Sequence, residues 1–200
     1  MLKLGISSGG LIMIHFKVDE AKAISAVLYV TRELLEHNPK VKPDLHKVFK
    51  ILYFADQKHL AKYGRPVIGD YYIAMNYGPV PSAIYDMTKS VRGDSIFDDV
   101  KRFAQFFDVE EHFITPKKEA DINDFSETDL ECINESLFEN RDLTFEKLVE
   151  KSHDDAYKKA AKDDKISFRE MAKVAGADEN MLSYIKLVSD NELFLADTGR

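Results

Sequence analysis

Asp56 and His59 are the pair whose types and spacing most invite chemistry in this chain of 200 residues. Asp56 follows Leu52 by four residues and Phe49 by seven, and His59 follows Ala55 by four. At helical period both therefore project along the apolar side of one helix. A carboxylate one turn from an imidazole raises its basicity and suits acid–base work or metal ligation, which a metal-dependent hydrolase would extend with His153. The same two residues can instead form a buried polar network that satisfies the amides of the loop between Gly64 and Gly78. A buried polar group without a partner costs about 1–3 kcal/mol. Charged groups on a core face are normally satisfied by neighbours, so the structural network is the expectation adopted for Asp56 and His59.

The remaining reactive residue types give weaker signals. His153-Asp154-Asp155 has metal-ligand residue types, but adjacent residues on a helix point in different directions and no second histidine stands four residues on. A solvated helix end is the expectation there. Cys132 is the only cysteine, and Asp129, Glu131 and Glu135 around it oppose the thiolate. Lys47, Lys50, Lys58 and Lys62 could serve a DNA-binding regulator, but their spacing spreads them around a helix. The chain has no Walker loop, dinucleotide fingerprint, serine elbow or zinc-spaced cluster. The expectation is no catalytic set, no metal and no cofactor: not an enzyme.

The elements that must position these residues follow from period and punctuation. Asp19 can cap a first helix over about 20 to 37, in which Ala23, Val27, Val30 and Leu34 recur at spacings of three and four. Pro43 suits a first turn, and Leu45, Val48, Phe49, Leu52 and Ala55 carry a second helix to Tyr63, where Gly64 tolerates the left-handed conformation that stops it. Ile51 and Phe54 fall off the main stripe, which predicts the central helix of the core. Tyr71, Ile73, Met75 and Tyr77 alternate at strand period. Gly78-Pro79-Val80-Pro81 should then break regular structure before a short helix over about 81 to 91. The stretch from Phe103 to Thr115 permits one or two further strands beside the tyrosine strand. Ser126 with Asp129, and Ser167 with Glu170, read as capping boxes, Thr144 opens a helix between them, and a last helix runs from Asp178 to about Asp190. The fold class predicted is mainly α (α+β): a single helical domain over 13–200, with a small antiparallel β-sheet inserted after the second helix, behind an extension over 1–12. Met13 offers an alternative start to Met1.

Composition bounds the setting. With 44% hydrophobic residues the chain can bury one core. The lone cysteine fits a reducing cytoplasm, and the run Gly9-Gly10-Leu11-Ile12-Met13-Ile14 is too short for a signal-peptide core or a membrane span. Net charge is −7 but uneven: residues 41–92 carry +4 and residues 93–163 carry −10. Such an acidic chain disfavours nucleic acid, whereas either flank could recruit a partner of opposite charge, and the acidic one could mimic nucleic acid in a toxin's basic cleft.

Leu52-Tyr53-Phe54-Ala55-Asp56, then His59-Leu60, Lys62-Tyr63-Gly64-Arg65-Pro66, Gly69-Asp70 and Tyr77-Gly78-Pro79-Val80-Pro81, resemble the Panacea domain of SocA-like antitoxins. The match covers about residues 45 to 90, with an echo at Leu148, Ser152 and His153 followed by Ala156-Tyr157 where the family carries Pro-Trp. The resemblance implies a protein-binding module that neutralises a cognate protein toxin, encoded by an adjacent gene, by direct contact. An adaptor that presents the partner to a protease is a variant of the same role. Proline ordering and tyrosine anchors suit recognition, so the partner-binding residues expected are Tyr71, Tyr77, Pro79, Val80, Pro81 and Arg65.

Overall fold

A computed structural model describes residues 14–94 and 100–197, so the extension expected over 1–12 lies outside the described residues. The molecule is mainly helical with two small antiparallel hairpins. Helix α1 spans Glu20–His37, and the Asp19 carboxylate accepts the Lys22 N–H at its start. Helix α2 spans Leu45–Tyr63 and stops at Gly64, whose φ of 78° is the left-handed conformation that the sequence predicts. Pro43 lies outside the first turn of α2. Asp44 is the cap, accepting from Lys47 N at 2.8 Å, and the Pro43 carbonyl is used by Ile114 N instead.

Helix α2 is buried on nearly every side because two apolar clusters share it. Val48, Phe49, Ile51, Leu52 and Ala55 pack with α1 and its surroundings, while Tyr53, Phe54 and Leu60 pack with the C-terminal helices. A helix apolar all round is a core helix, and the burial of α2 between these clusters removes its apolar area from water on both sides.

Strands β1 (Tyr72–Met75) and β2 (Gly78–Pro81) form a hairpin that turns at Asn76 and Tyr77. The expected break at Gly78-Pro79-Val80-Pro81 is thus a strand, and its register explains why. Pro79 and Pro81 lie opposite Ala74 and Tyr72, whose backbone groups face away from β2: Ala74 N donates to Asp164 O, Asp163 N to Ala74 O, and Ile166 N to Tyr72 O. The prolines therefore occupy outer-edge positions where no ladder N–H is required, while Val80 stands opposite Ile73. Helix α3 (Ser82–Arg92) follows directly from Pro81.

After a short helix α4 (Val100–Phe103), strands β3 (Phe107–Glu110) and β4 (Phe113–Pro116) make a second hairpin. The Phe-rich segment is β as expected, but it does not extend the tyrosine sheet. Leu45 N donates to His112 O and Ile114 N to Pro43 O, so it anchors on the entrance to α2. Helix α5 (Glu127–Asn140) begins with the expected capping box of Ser126 and Asp129. Helices α6 (Phe145–Ser152), α7 (Asp155–Lys159), α8 (Phe168–Val174) and α9 (Glu179–Asp197) complete the chain. Thr144 caps α6, but Ser167 makes no capping bond at α8, where Glu170 turns to Lys159 and Lys173 instead. Helix α9 continues past the expected end near Asp190, and Ser189 ties it to the His15 backbone. No helix among the described residues is long and apolar enough to cross a membrane.

Candidate functional site

Asp56 and His59 are both buried, and every polar atom of each is engaged. Asp56 Oδ1 accepts the N–H groups of Val67 (2.7 Å) and Ile68 (3.2 Å), and Oδ2 accepts the Tyr72 hydroxyl (2.9 Å). Burial outweighs these three bonds and pushes the carboxyl up to about 7. His59 Nδ1 donates to the Arg65 carbonyl at 2.7 Å, and Nε2 stands 3.1 Å from the Thr128 hydroxyl, from which a neutral ring accepts, and 3.2 Å from Asp129 Oδ1. Desolvation holds the imidazole near 4, so it is neutral. The two residues do not pair with each other, and their bonds fix the loop that joins α2 to β1.

Asp129, read from sequence as a capping residue and as one of the acids around Cys132, is the hub of the neighbouring network. Its buried carboxylate accepts from Lys22 Nζ (2.6 Å), Arg65 (2.9 Å) and Ser126 N (2.9 Å), joining α1, the α2 exit and α5. These donors overcome the effect of burial and hold it down at about 2. Asp70 plays a comparable part for α3. Pro81 has no side chain with which to cap, and the Asp70 oxygens accept from Ala83 N and Ile84 N at 3.1 Å each.

The hairpin tip is held differently. Three successive alternate carbonyls each accept from a side chain: Met75 O from the Tyr157 hydroxyl (2.9 Å), Tyr77 O from His46 Nε2 (3.1 Å), and Pro79 O from Lys50 Nζ (2.8 Å). Gly78, with φ +97°, lets the tip approach its support. A Cβ there would lie 2.5 Å from Ser152 Oγ and 2.9 Å from Lys50 Cε. Tyr77 is 64% exposed on this tip, edge to face with Phe145 at 5.5 Å, and Phe145, 45% exposed, packs on His46 at 4.3 Å.

The residues expected to form one binding surface are not all brought together. Tyr77 and half-buried Val80 lie at the start of α2, against His46. Arg65 lies at its other end, roughly 25 Å along the axis, with its guanidinium on Asp129, Ser126 Oγ and the Pro66 carbonyl. Tyr71 is exposed but covered on one face by Lys165, whose Nζ stands 3.9 Å from the ring centroid. Pro79 and Pro81 are buried, so they stiffen the hairpin without presenting a contact face. Phe145 and His46 escaped the sequence reading, and Tyr157 entered it only through the family echo. Phe145 opens α6 far along the chain, and nothing in its local pattern marks it as a neighbour of Tyr77.

Lys50 is buried beneath the hairpin, Lys47 donates to Arg141 O, and Lys58 and Lys62 pair with Glu135, Glu139 and Glu131 of α5. Cys132 is buried and its thiol is pushed up to about 12, chiefly by desolvation. His153 caps the end of α6, stacked on Tyr157 at 4.1 Å, and among the described residues no three or more His, Cys, Asp or Glu side chains are grouped to hold a metal.

Neither a curated protein nor a solved structure matches the chain. The family described as Antitoxin SocA-like, Panacea domain, matches residues 48–158, from within α2 to α7. That span includes the clamped hairpin and its supports Lys50, Ser152 and Tyr157, and exceeds half of the chain; the protein belongs to the SocA-like antitoxin Panacea-domain family.

Proposed function

We propose that this protein acts in the cytoplasm as an antitoxin, binding a toxin from an adjacent gene through the tip of the β1–β2 hairpin and the Phe145 side chain beside it. The observation that carries this reading is the exposed Tyr77 on a tip whose three carbonyls are each tied to a side chain. An aromatic anchor whose backbone is already tied in place has less freedom to lose on binding, and tyrosine is enriched among residues that dominate interface energy. The family membership supplies the class of partner.

Co-expression with the adjacent gene product tests the reading. The expected outcome is that the neighbour arrests growth alone, that this protein restores it, and that the two co-purify. A harmless neighbour that does not co-purify would overturn it. Partner half-life in the same cells separates blocking from delivery to a protease, since simple blocking leaves it unchanged.

A further inference from the structure

Beside the hairpin tip lies a groove of about 310 Å³ between α2, β2, α3 and the β3–β4 turn. Leu45, Phe49, Val80 and Tyr85 give it an apolar surface. Tyrosines aside, its ionisable lining is His46, Lys50, Arg92 and His112 with one acid, Asp163; just outside it Asp94 pairs with Arg92, and Glu111 stands 4.0 Å from His112.

Two of these bases lack the partners that burial normally supplies. Lys50 is buried, yet its ammonium has three donors and one hydrogen bond in the structure, to Pro79 O, and among the described residues no carboxylate forms an ion pair with it. His46 spends Nε2 on Tyr77 O, and its buried Nδ1 has no partner. A buried cation without a counter-ion is costly, and in a low-dielectric wall its field reaches an anion bound nearby. Among the described residues the nearby acids, Asp44 at the start of the same helix, which acts on Lys50, and Asp163 at the groove wall, form no ion pair with it.

We propose that this groove receives an acidic side chain of the toxin flanked by an aromatic or aliphatic residue. The apolar neighbour covers Val80 and Tyr85, and the carboxylate lodges beside Arg92 and His112 in the field of Lys50, next to a His46 Nδ1 that must take up a proton to donate to it. The inference rests on the antitoxin reading for its partner and goes beyond it in naming the chemistry recognised.

Binding of this kind carries a proton signature. The groups facing Lys50 are Asp44, His46 and Lys47 on its own helix, Pro79 O on the hairpin, and His153 at the end of α6. Those facing His46 are Lys50, Asp44, Lys47, the Tyr77 carbonyl and the Phe145 ring. Arg92 is turned partly to Asp94 and Glu111 O. Burial lowers Lys50 to about 7 and His46 to about 4. A bound carboxylate raises both, so the complex takes up protons and weakens as pH rises through the value for free Lys50.

The test is an NMR titration of the intact protein with acetyl-Phe-Glu-amide and, as control, acetyl-Phe-Gln-amide, read at the Val80 methyl and His46 ring signals. The Glu probe should saturate, bind about fivefold more tightly than the Gln probe, and weaken about fivefold between about pH 6 and pH 8 while the Gln probe does not. Lys50→Met should abolish that preference and its pH dependence. If Lys50→Met fails to fold, Arg92→Gln on the outer rim should weaken the Glu probe alone. Equal binding of the two probes, no saturable shift from either, or an Arg92→Gln variant that binds both as the wild type does would overturn the proposal. No toxin is present in this titration, so such a result leaves the antitoxin reading to be judged by co-expression.

Discussion

Asp56 and Asp129 are both buried carboxylates, yet they titrate in opposite directions because their donors differ. Asp129 meets two cations and is held at about 2. Its contribution to stability is complete above the ordinary aspartate value of 3.8 and is lost as pH falls toward 2. Asp129→Asn should therefore destabilise the protein at neutral pH by about 3 kcal/mol in urea denaturation, a gap that closes as the medium is acidified. Asp56 meets two amides and a phenol, no cation, and is raised to about 7. Its folded state favours the protonated form, so stability from this group is complete below 3.8 and declines as pH rises through about 7. Asp56→Ala should cost about 1–3 kcal/mol because it strands Val67 N, Ile68 N and the Tyr72 hydroxyl. Asp56→Asn should cost less, and its penalty should shrink from acidic to alkaline pH. The inward direction of Asp56 and His59 was legible from their spacing after Leu52 and Ala55. Their partners were not, because Thr128 and Tyr72 reach them through tertiary packing that no local period encodes.

At the scale of elements, helices read more plainly than strands. The bounds of α1 and the stop of α2 at Gly64 are written in caps and period, and Asp19 and Gly64 stand where those signals place them. β2 was hidden because its two prolines read locally as breakers, and only the register against Tyr72 and Ala74 shows that their missing N–H groups face outward. The Ser167 and Glu170 box failed for a related reason, since Lys159 on α7 competes for the Glu170 carboxylate. Gly78 and Gly176 allow conformational strain to be separated from close approach. Both have positive φ, but a Cβ on Gly176 meets nothing within 4 Å, whereas one on Gly78 meets Ser152 Oγ and Lys50 Cε. Gly176→Ala should lower unfolding free energy by about 1 kcal/mol, and Gly78→Ala by about 1–3 kcal/mol more, as measured by chemical denaturation.

Across the whole molecule, the uneven charge finds much of its counterpart inside the chain. The basic segment 41–92 and the acidic segment 93–163 meet where α2 packs on α5. There Lys62 bridges Glu131 and Glu135, and Lys58 bridges Glu135 and Glu139. The sequence showed the segregation of charge, but a linear count cannot tell an internal partner from an external one. Lys62→Glu should destabilise by about 1 kcal/mol in chemical denaturation, with part of the loss restored when Glu131, which pairs with Lys62 but not with Lys58, is changed to Lys. The motif that carries the family resemblance has a parallel lesson. Asp56, Asp70, Gly64 and Gly78 build the scaffold, and Tyr77 is the residue of its final run that stands well out from the surface.

The central claim, that this exposed tyrosine on a clamped tip is the toxin anchor, is tested most directly by the affinity of the co-purifying adjacent gene product for Tyr77→Ala. The account predicts a loss of about 2 kcal/mol, roughly thirtyfold in Kd, with melting temperature almost unchanged because the side chain is exposed. Wild-type affinity in a Tyr77→Ala protein of normal stability would contradict it.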